Sequence, residues 1–428
     1  MARGREGATK AVVASNFVIS AVAAAIYLAL VFPVTAALGV SSSLIIIYTL
    51  ASVNIINVHL IGALESILRA KKPQVLGIGL LVSELSKVSL AYVIAVGSGQ
   101  ILVGAMLGFL IGGILQAFYY LRLLSSDLRQ LIHWHYIREW AKGSTATIFG
   151  LIGGQFANFI FILLFVYGGH GAARADYQAA ASFAAVIGYA SSLALALYPK
   201  LLAKSSFEEV VTSLRLMLLF ALPMAVFAMV MSSSLLTILD VSYSSASLVL
   251  VVLAADALVN VLITFYQFVF MGSERLDEHA KIDLGNLVRS KIFKVNSLPY
   301  IQAAITLPLT FYVLTSLAVD SSQLALYFAV ILLFTHVALL ALVCVWTIRA
   351  CRVTFPWSSV GKYLFASGVA GVILFLVPHP TTVILTLSTL VVGVGIYAAV
   401  AVIIDKYARG LVIETIRQVP KMLRRKAD

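Results

Sequence analysis

The sequence predicts an all-α integral membrane protein of about twelve transmembrane helices. Three observations carry the prediction: apolar residues in excess of what a soluble surface can cover, twelve apolar runs of bilayer-spanning length, and basic residues confined to alternate connections. Of the 428 residues, 61% are hydrophobic and 11% charged, with a mean hydropathy of +1.02. Soluble domains sit near roughly half apolar and a quarter charged, so a water-soluble fold is excluded and lipid is the solvent.

A span needs about 20 mostly apolar residues. Pro, Gly and charge clusters divide the chain into twelve such runs, near 11–38, 43–68, 75–97, 101–122, 145–167, 177–198, 211–238, 246–271, 297–318, 323–348, 360–377 and 381–404. The first run is far longer than the roughly 7–15 residue core of a signal peptide, so it is expected to remain as the first helix. With both termini cytoplasmic, 28 of the 30 Lys and Arg fall on inner stretches. The outer connections GVSSS, GSGQ, GGHGAARADY, DVSYSSA, VDSSQ and PHPT hold only Arg174, and Lys87 lies within a span. Miscounting one helix would invert this pattern downstream, so the even count and the orientation support each other. The net charge of +12 therefore reflects inner loops, and nucleic acid is not expected as a partner.

The inner segment 125–140, SSDLRQLIHWHYIREW, alternates apolar and charged residues at helical spacing, which predicts a helix along the inner interface. The polar loop 272–296 reads as a solvated connection, and the basic tail from Lys406 onward is expected on anionic headgroups. Cys344 and Cys351 have neither metal-ligand nor disulfide-framework spacing and read as packing residues.

A charged group at mid-bilayer costs several kcal/mol, about 2.5–3.5 on insertion scales, so each needs a partner or water. In the third span, Glu84 and Lys87 lie three apart on one helical face and can neutralise each other, as an internal ion pair or as part of a cavity lining. In the eighth, Asp256 and Asn260 lie four apart with no basic residue within a turn, so Asp256 requires a partner on another helix, or water. The second span carries Asn54, Asn57 and His59, the fifth Gln155 and Asn158, and the ninth Gln302. Singly, such amides are commonly interhelical hydrogen bonds; together, polar groups on at least six spans predict a hydrated central cavity. His336, alone on the tenth span, reads as a satisfied packing residue. Walker A, HExxH and GxSxG patterns and Cys/His metal clusters are absent. Neither an enzymatic activity, a cofactor, a metal site nor an internal ATPase is therefore expected.

From about Lys142 to Tyr407, the order of features resembles the polysaccharide-export branch of the multidrug, oligosaccharidyl-lipid and polysaccharide (MOP) flippase superfamily. The motifs are ALALYPKLLAKSSFEE (194–209), a helix closing on Pro and a short basic inner loop; LLTILDVSYSSASLVLVVLAAD (235–256), two helices around a tight outer turn with Tyr243; and the inner stretch GSERLDEHAKI (272–282). Members commonly have fourteen helices in two six-helix lobes with a trailing pair. Setting 125–140 at the join leaves four spans before it, so the resemblance implies that the first helical pair is missing from this chain, through truncation or supply by a partner.

The implied organisation is two bundles, MOP/MATE-like, around the cavity: 1–124 as an N-terminal bundle of four spans, 125–142 as a linker helix, 143–350 as a C-terminal bundle of six spans, and 351–428 as a trailing pair with a basic tail. The implied function is a flippase in the cytoplasmic membrane that moves a lipid-linked oligosaccharide outward by alternating access. Lys87, Lys200 and Arg215 are the candidates for meeting the lipid phosphate, with Arg174 at the outer mouth. Asp256 with Asn260 is the candidate for a coupling ion or for orienting the sugar, and Glu84, Gln155, Asn158 and His59 are candidate cavity residues. A small-solute or multidrug transporter is the alternative, since twelve spans with both ends inside is its layout too; a membrane glycosyltransferase ranks lower, because the first outer loop, GVSSS, lacks an acidic residue.

Overall fold

The computed structural model describes residues 7–37, 45–72, 75–132, 137, 144–168, 171–194, 207–273, 288–317, 320–351, 354–377 and 380–414. Every regular element among them is helical, and eleven stretches are long and apolar enough to cross a membrane. These eleven coincide with eleven of the twelve expected spans. The remaining one, expected at 177–198, corresponds to a shorter 17-residue helix that continues as a 3₁₀ turn to Ala194, beyond which it leaves the described residues.

The chain divides into two compact units, Met1–Gly143 and Ser144–Asp428. The first contains α1 (Ala8–Ala37), α2 (Ile45–Lys71), α3 (Leu76–Ser98), α4 (Ile101–Leu123) and the single turn α5 (Ser125–Leu128). The interfacial helix expected over 125–140 is helical only in α5 before residue 133, and most of 133–140 lies outside the described residues. Helix α3 stops at Gly99, whose φ of +67° a residue with a Cβ rarely adopts, and α4 starts two residues later.

The resulting α3–α4 hairpin is packed backbone to backbone. Gly104, Gly108 and Gly112 recur every four residues and so form one stripe along α4. A Cβ on Gly104 would lie 2.6 Å from the Ala95 nitrogen, on Gly108 2.8 Å from the Lys87 carbonyl oxygen, and on Gly112 2.6 Å from Lys87 Cγ. Close approach through small residues is how helices associate where hydrocarbon offers no hydrophobic drive. Leu64, Ile67, Leu68, Ala117 and Tyr120 complete the core of α2 and α4. At the C-terminal end of α2, Lys71 pairs with Asp127 at 2.9 Å and donates to the Thr9 hydroxyl, which fastens α2 to α1 and α5.

The second unit contains α6 (Thr145–Asn158) and α7 (Ile160–Tyr167), one span interrupted at Phe159, then α8 (Ala172–Gly188), α9 (Phe207–Val230) and α10 (Ser232–Leu239). It continues with α11 (Ser247–Gly272), α12 (Lys291–Asn296), α13 (Leu298–Ser316), α14 (Ser321–Ala350), α15 (Trp357–Leu376) and α16 (Val383–Ile404). Before α11, Asp240 caps a 3₁₀ turn by accepting from the Ser242 N–H at 2.8 Å, a bond that holds its carboxyl below the usual carboxylate range. Asp320 caps α14 in the same way through Gln323.

Helix α11 is the centre of this unit, packed against α8, α9 and α14. Its buried Leu253, Phe265 and Val269 meet Leu214 and Met217 of α9 and Phe328 and Val343 of α14 in a single core. The trailing pair α15 and α16 belongs to the same core, with α15 lying against α9. Pro223 inside α9 cannot donate to the Leu219 carbonyl four residues back. That orphaned oxygen accepts from the Tyr397 hydroxyl of α16 at 2.6 Å, so the gap in the bonding of one helix is also the tether of another.

Candidate functional site

The strongest polar cluster in the second unit joins three side chains from two helices. Asp256 and Asn260 share a face of α11 because they are four apart, and His336 reaches them from α14. Asp256 is 7% exposed. Its Oδ1 lies 2.6 Å from His336 Nδ1, and its Oδ2 lies 3.1 Å from Asn260 Nδ2.

The proton positions follow from counting donors. The Asn260 amide has two hydrogens, and both are used on Asp256: one on the backbone carbonyl at 3.0 Å, one on Oδ2. None remains for His336 Nδ1, although that atom is only 3.0 Å away. Nδ1 therefore carries its own hydrogen and donates it to Oδ1, and each carboxylate oxygen receives one N–H. Inverting the amide would set its oxygen against two acceptors, so the Asn260 orientation is fixed by the same network.

A cleft of about 250 Å³ opens beside this cluster, lined by Tyr177, Ala181, Ala184 and Gly188 of α8 and by Leu253, Asp256 and Asn260 of α11. Alanine and glycine on α8 leave the space, and Asp256 and Asn260 provide its polarity. Sequence reasoning isolated Asp256 and Asn260 but treated His336 as packing. The partner it sought for Asp256 is that histidine, 80 positions away, beyond any same-helix spacing rule.

In the first unit, Glu84 and Lys87 are joined as their spacing predicts, at 2.8 Å, with Glu84 half exposed and the Lys87 ammonium 5.0 Å from the centre of the Phe109 ring. A second network was not anticipated. Gln116 of α4 donates to Glu65 Oε1 of α2 at 3.0 Å and to the Tyr120 hydroxyl at 3.2 Å, and that hydroxyl donates to the Leu76 carbonyl. Glu65 is a charge inside the second apolar run, and counting intramembrane acids run by run would have found it. Gln116→Leu removes the donor on Glu65 and leaves the Tyr120 hydroxyl only its bond to the Leu76 carbonyl, with an expected loss of about 1–3 kcal/mol of stability, read as a lower unfolding temperature of the purified protein. An unchanged midpoint would mean that water serves both groups.

The other candidates do not join either cluster. His59 is exposed and its Nδ1 lies 2.8 Å from the Ile55 carbonyl of its own helix. Gln155 and Asn158 are exposed on α6, and their side chains make no hydrogen bond among the described residues. Arg174 is exposed and donates to the Phe161 carbonyl at 3.3 Å. Arg215 is partly buried, and its Nε has no acceptor among the described residues. Lys200 lies outside the described residues.

Four residues beyond Arg215, Leu219 begins the wall of an apolar groove of about 390 Å³. Leu219, Pro223 and Phe227 of α9 face Tyr397 and Ala401 of α16, and Leu411 of the helical segment 406–414 extends the wall. Among the described residues no group of three or more His, Cys, Asp or Glu is arranged to hold a metal ion.

These features belong to an all-helical, multi-span membrane protein, and comparison with solved structures narrows its fold. The fold is similar to that of the lipid II flippase MurJ in an inward closed conformation, with a TM-score of 0.53 and 16% sequence identity over 94% of this chain and 84% of that one. No family model matches the sequence, and no curated protein matches it.

Proposed function

We propose that this chain is a flippase for an amphiphile that carries a hydrocarbon chain and an anionic, sugar-bearing head, of the lipid-linked oligosaccharide class. The observation that carries the reading is the apolar groove between α9 and α16 with Arg215 one turn beyond its end. A small hydrophilic solute has no use for such a groove. A lipid-linked sugar has use for both parts, the hydrocarbon lying along Leu219, Pro223 and Phe227 while the guanidinium meets the phosphate. Since bulk lipid is as apolar as the groove, the groove contributes position more than affinity, and Arg215 contributes the preference for an anionic head. The likeness to a solved lipid II flippase supports the same class of substrate. On the orientation that the basic residues favour, the groove and Arg215 lie toward the cytoplasmic side, where such a substrate is loaded. Lys87 and Lys200 are further candidates for the phosphate and Arg174 for the outer mouth; alternating access moves the head, and a coupling ion at Asp256 drives the cycle.

The test uses the full chain in proteoliposomes with a polyprenyl-diphosphate disaccharide bearing a fluorescent head, whose outer-leaflet fraction is bleached by an impermeant reductant. Accelerated loss of the protected fraction relative to protein-free vesicles is expected. Ala401→Trp, which fills the groove, is expected to slow it about tenfold. Equal rates with and without protein would overturn the reading, as would small-solute uptake that Ala401→Trp leaves untouched.

A further inference from the structure

We infer that the Asp256–His336 pair is a proton-binding site, which takes up its proton on His336 Nε2 and does not bind a metal cation. The inference deepens the flippase reading and rests on it only for its place in a transport cycle; the chemistry of the pair stands on the geometry of α11 and α14.

A hard cation is held by several oxygens that point lone pairs at it. Each Asp256 oxygen already accepts one N–H, Oδ1 from His336 Nδ1 and Oδ2 from Asn260, which leaves only one lone pair on each for a cation. Asn260 turns its nitrogen, not its oxygen, toward the carboxylate, and that orientation is locked by the Asp256 backbone carbonyl. Tyr177 brings the remaining side-chain oxygen of the cleft lining. A cation entering here would meet N–H groups before it met ligands.

A proton meets no such obstacle. His336 Nε2 makes no hydrogen bond among the described residues, and only partial exposure of the histidine separates it from the exterior. Water that reaches the partly exposed His336 side chain can deliver H⁺ to the Nε2 lone pair, which forms one N–H bond and converts imidazole to imidazolium. The Nδ1–H···Oδ1 bond and the carboxylate are kept, and release is the reverse step. Uptake takes the pair from a net charge of −1 to a neutral ion pair. A buried uncompensated carboxylate is disfavoured in the membrane, so the proton-loaded pair is the form in which this helix junction can be sealed from water.

Other titratable groups stand on the elements around the pair. From α8, Tyr177 faces the cleft, while Arg174 is turned to the Phe161 carbonyl and Asp176 accepts from Ser321. Helix α9 carries Glu208, Glu209 and Arg215 in its first turns, α12 carries Lys291 and Lys294, and α14 carries Tyr327, Cys344 and Arg349. The 3₁₀ segments contribute Tyr189 and Tyr243, and α11 itself Tyr266. Of these, only Tyr177 lines the cleft with Asp256.

The test reads ion binding without substrate. Proteoliposomes of the full chain on a solid-supported membrane are expected to give a transient charge displacement on an acid jump and none on a sodium jump at constant pH. Asp256→Asn is expected to reduce the acid-jump signal at least tenfold. His336→Asn keeps an N–H donor where Nδ1 stands but cannot take the second proton, so an equal loss is expected from a variant that retains the hydrogen bond. Acid-jump signals unchanged in both variants, or a sodium signal that the variants lose, would overturn the inference. A lipid probe that no gradient moves, with the acid-jump signal intact, would remove the flippase reading alone.

Discussion

Gly108→Leu is expected to prevent stable association of α3 with α4 and to lower the yield of folded protein sharply. An added Cβ at 108 meets not a mobile side chain but main chain, the Ala91 nitrogen and the Lys87 carbonyl oxygen, each at 2.8 Å. Overpacking costs about 1–3 kcal/mol when neighbouring side chains can turn aside; here two helix backbones must part, so the cost is expected at or above the top of that range. The control lies in the same hairpin. Nothing stands within 4 Å of a Cβ on Gly97, and Gly97→Leu is expected to stay within about 0.5 kcal/mol of the parent protein. Unfolding in detergent measures both, and equal behaviour of the two variants would show that the glycine stripe is not the hairpin's contact line.

Asp256→Ala removes the only acceptor that His336 Nδ1 has among the described residues, and His336→Ala removes the donor on Oδ1. Each single change leaves a polar group stranded between α11 and α14, at an expected cost of about 1–3 kcal/mol. The double variant strands neither, so it should lose less than the sum. The coupling energy is expected on the order of 1–3 kcal/mol, from unfolding curves of the four proteins. Additive losses would mean that the two side chains do not share a proton.

These two sites mark what a sequence reading can reach. Apolar length and the placement of Lys and Arg made eleven spans legible, because a bilayer imposes one length and one charge asymmetry on every crossing. Glu84 with Lys87 was legible because helical spacing alone brings them together. The isolation of Asp256 was legible too, but not its remedy: a 3.6-residue period describes neighbours within α11 and is silent on which other helix supplies a histidine. The same limit hid the bonding of Gln116 to Glu65, 51 positions apart. The apolar groove was equally invisible, since it depends on which helix lies across α9.

Asp405 sits where α16 ends, 4% exposed, and accepts from Lys362 Nζ at 3.2 Å, from the Tyr363 hydroxyl at 3.0 Å and from the Ala408 N–H at 3.2 Å. One carboxylate thus sets the angle at which the chain turns from its last crossing into the segment 406–414. That segment carries Ala408, Leu411 and Val412, which form the far bank of the groove. The width of the apolar groove is therefore governed by a carboxylate that does not itself line it.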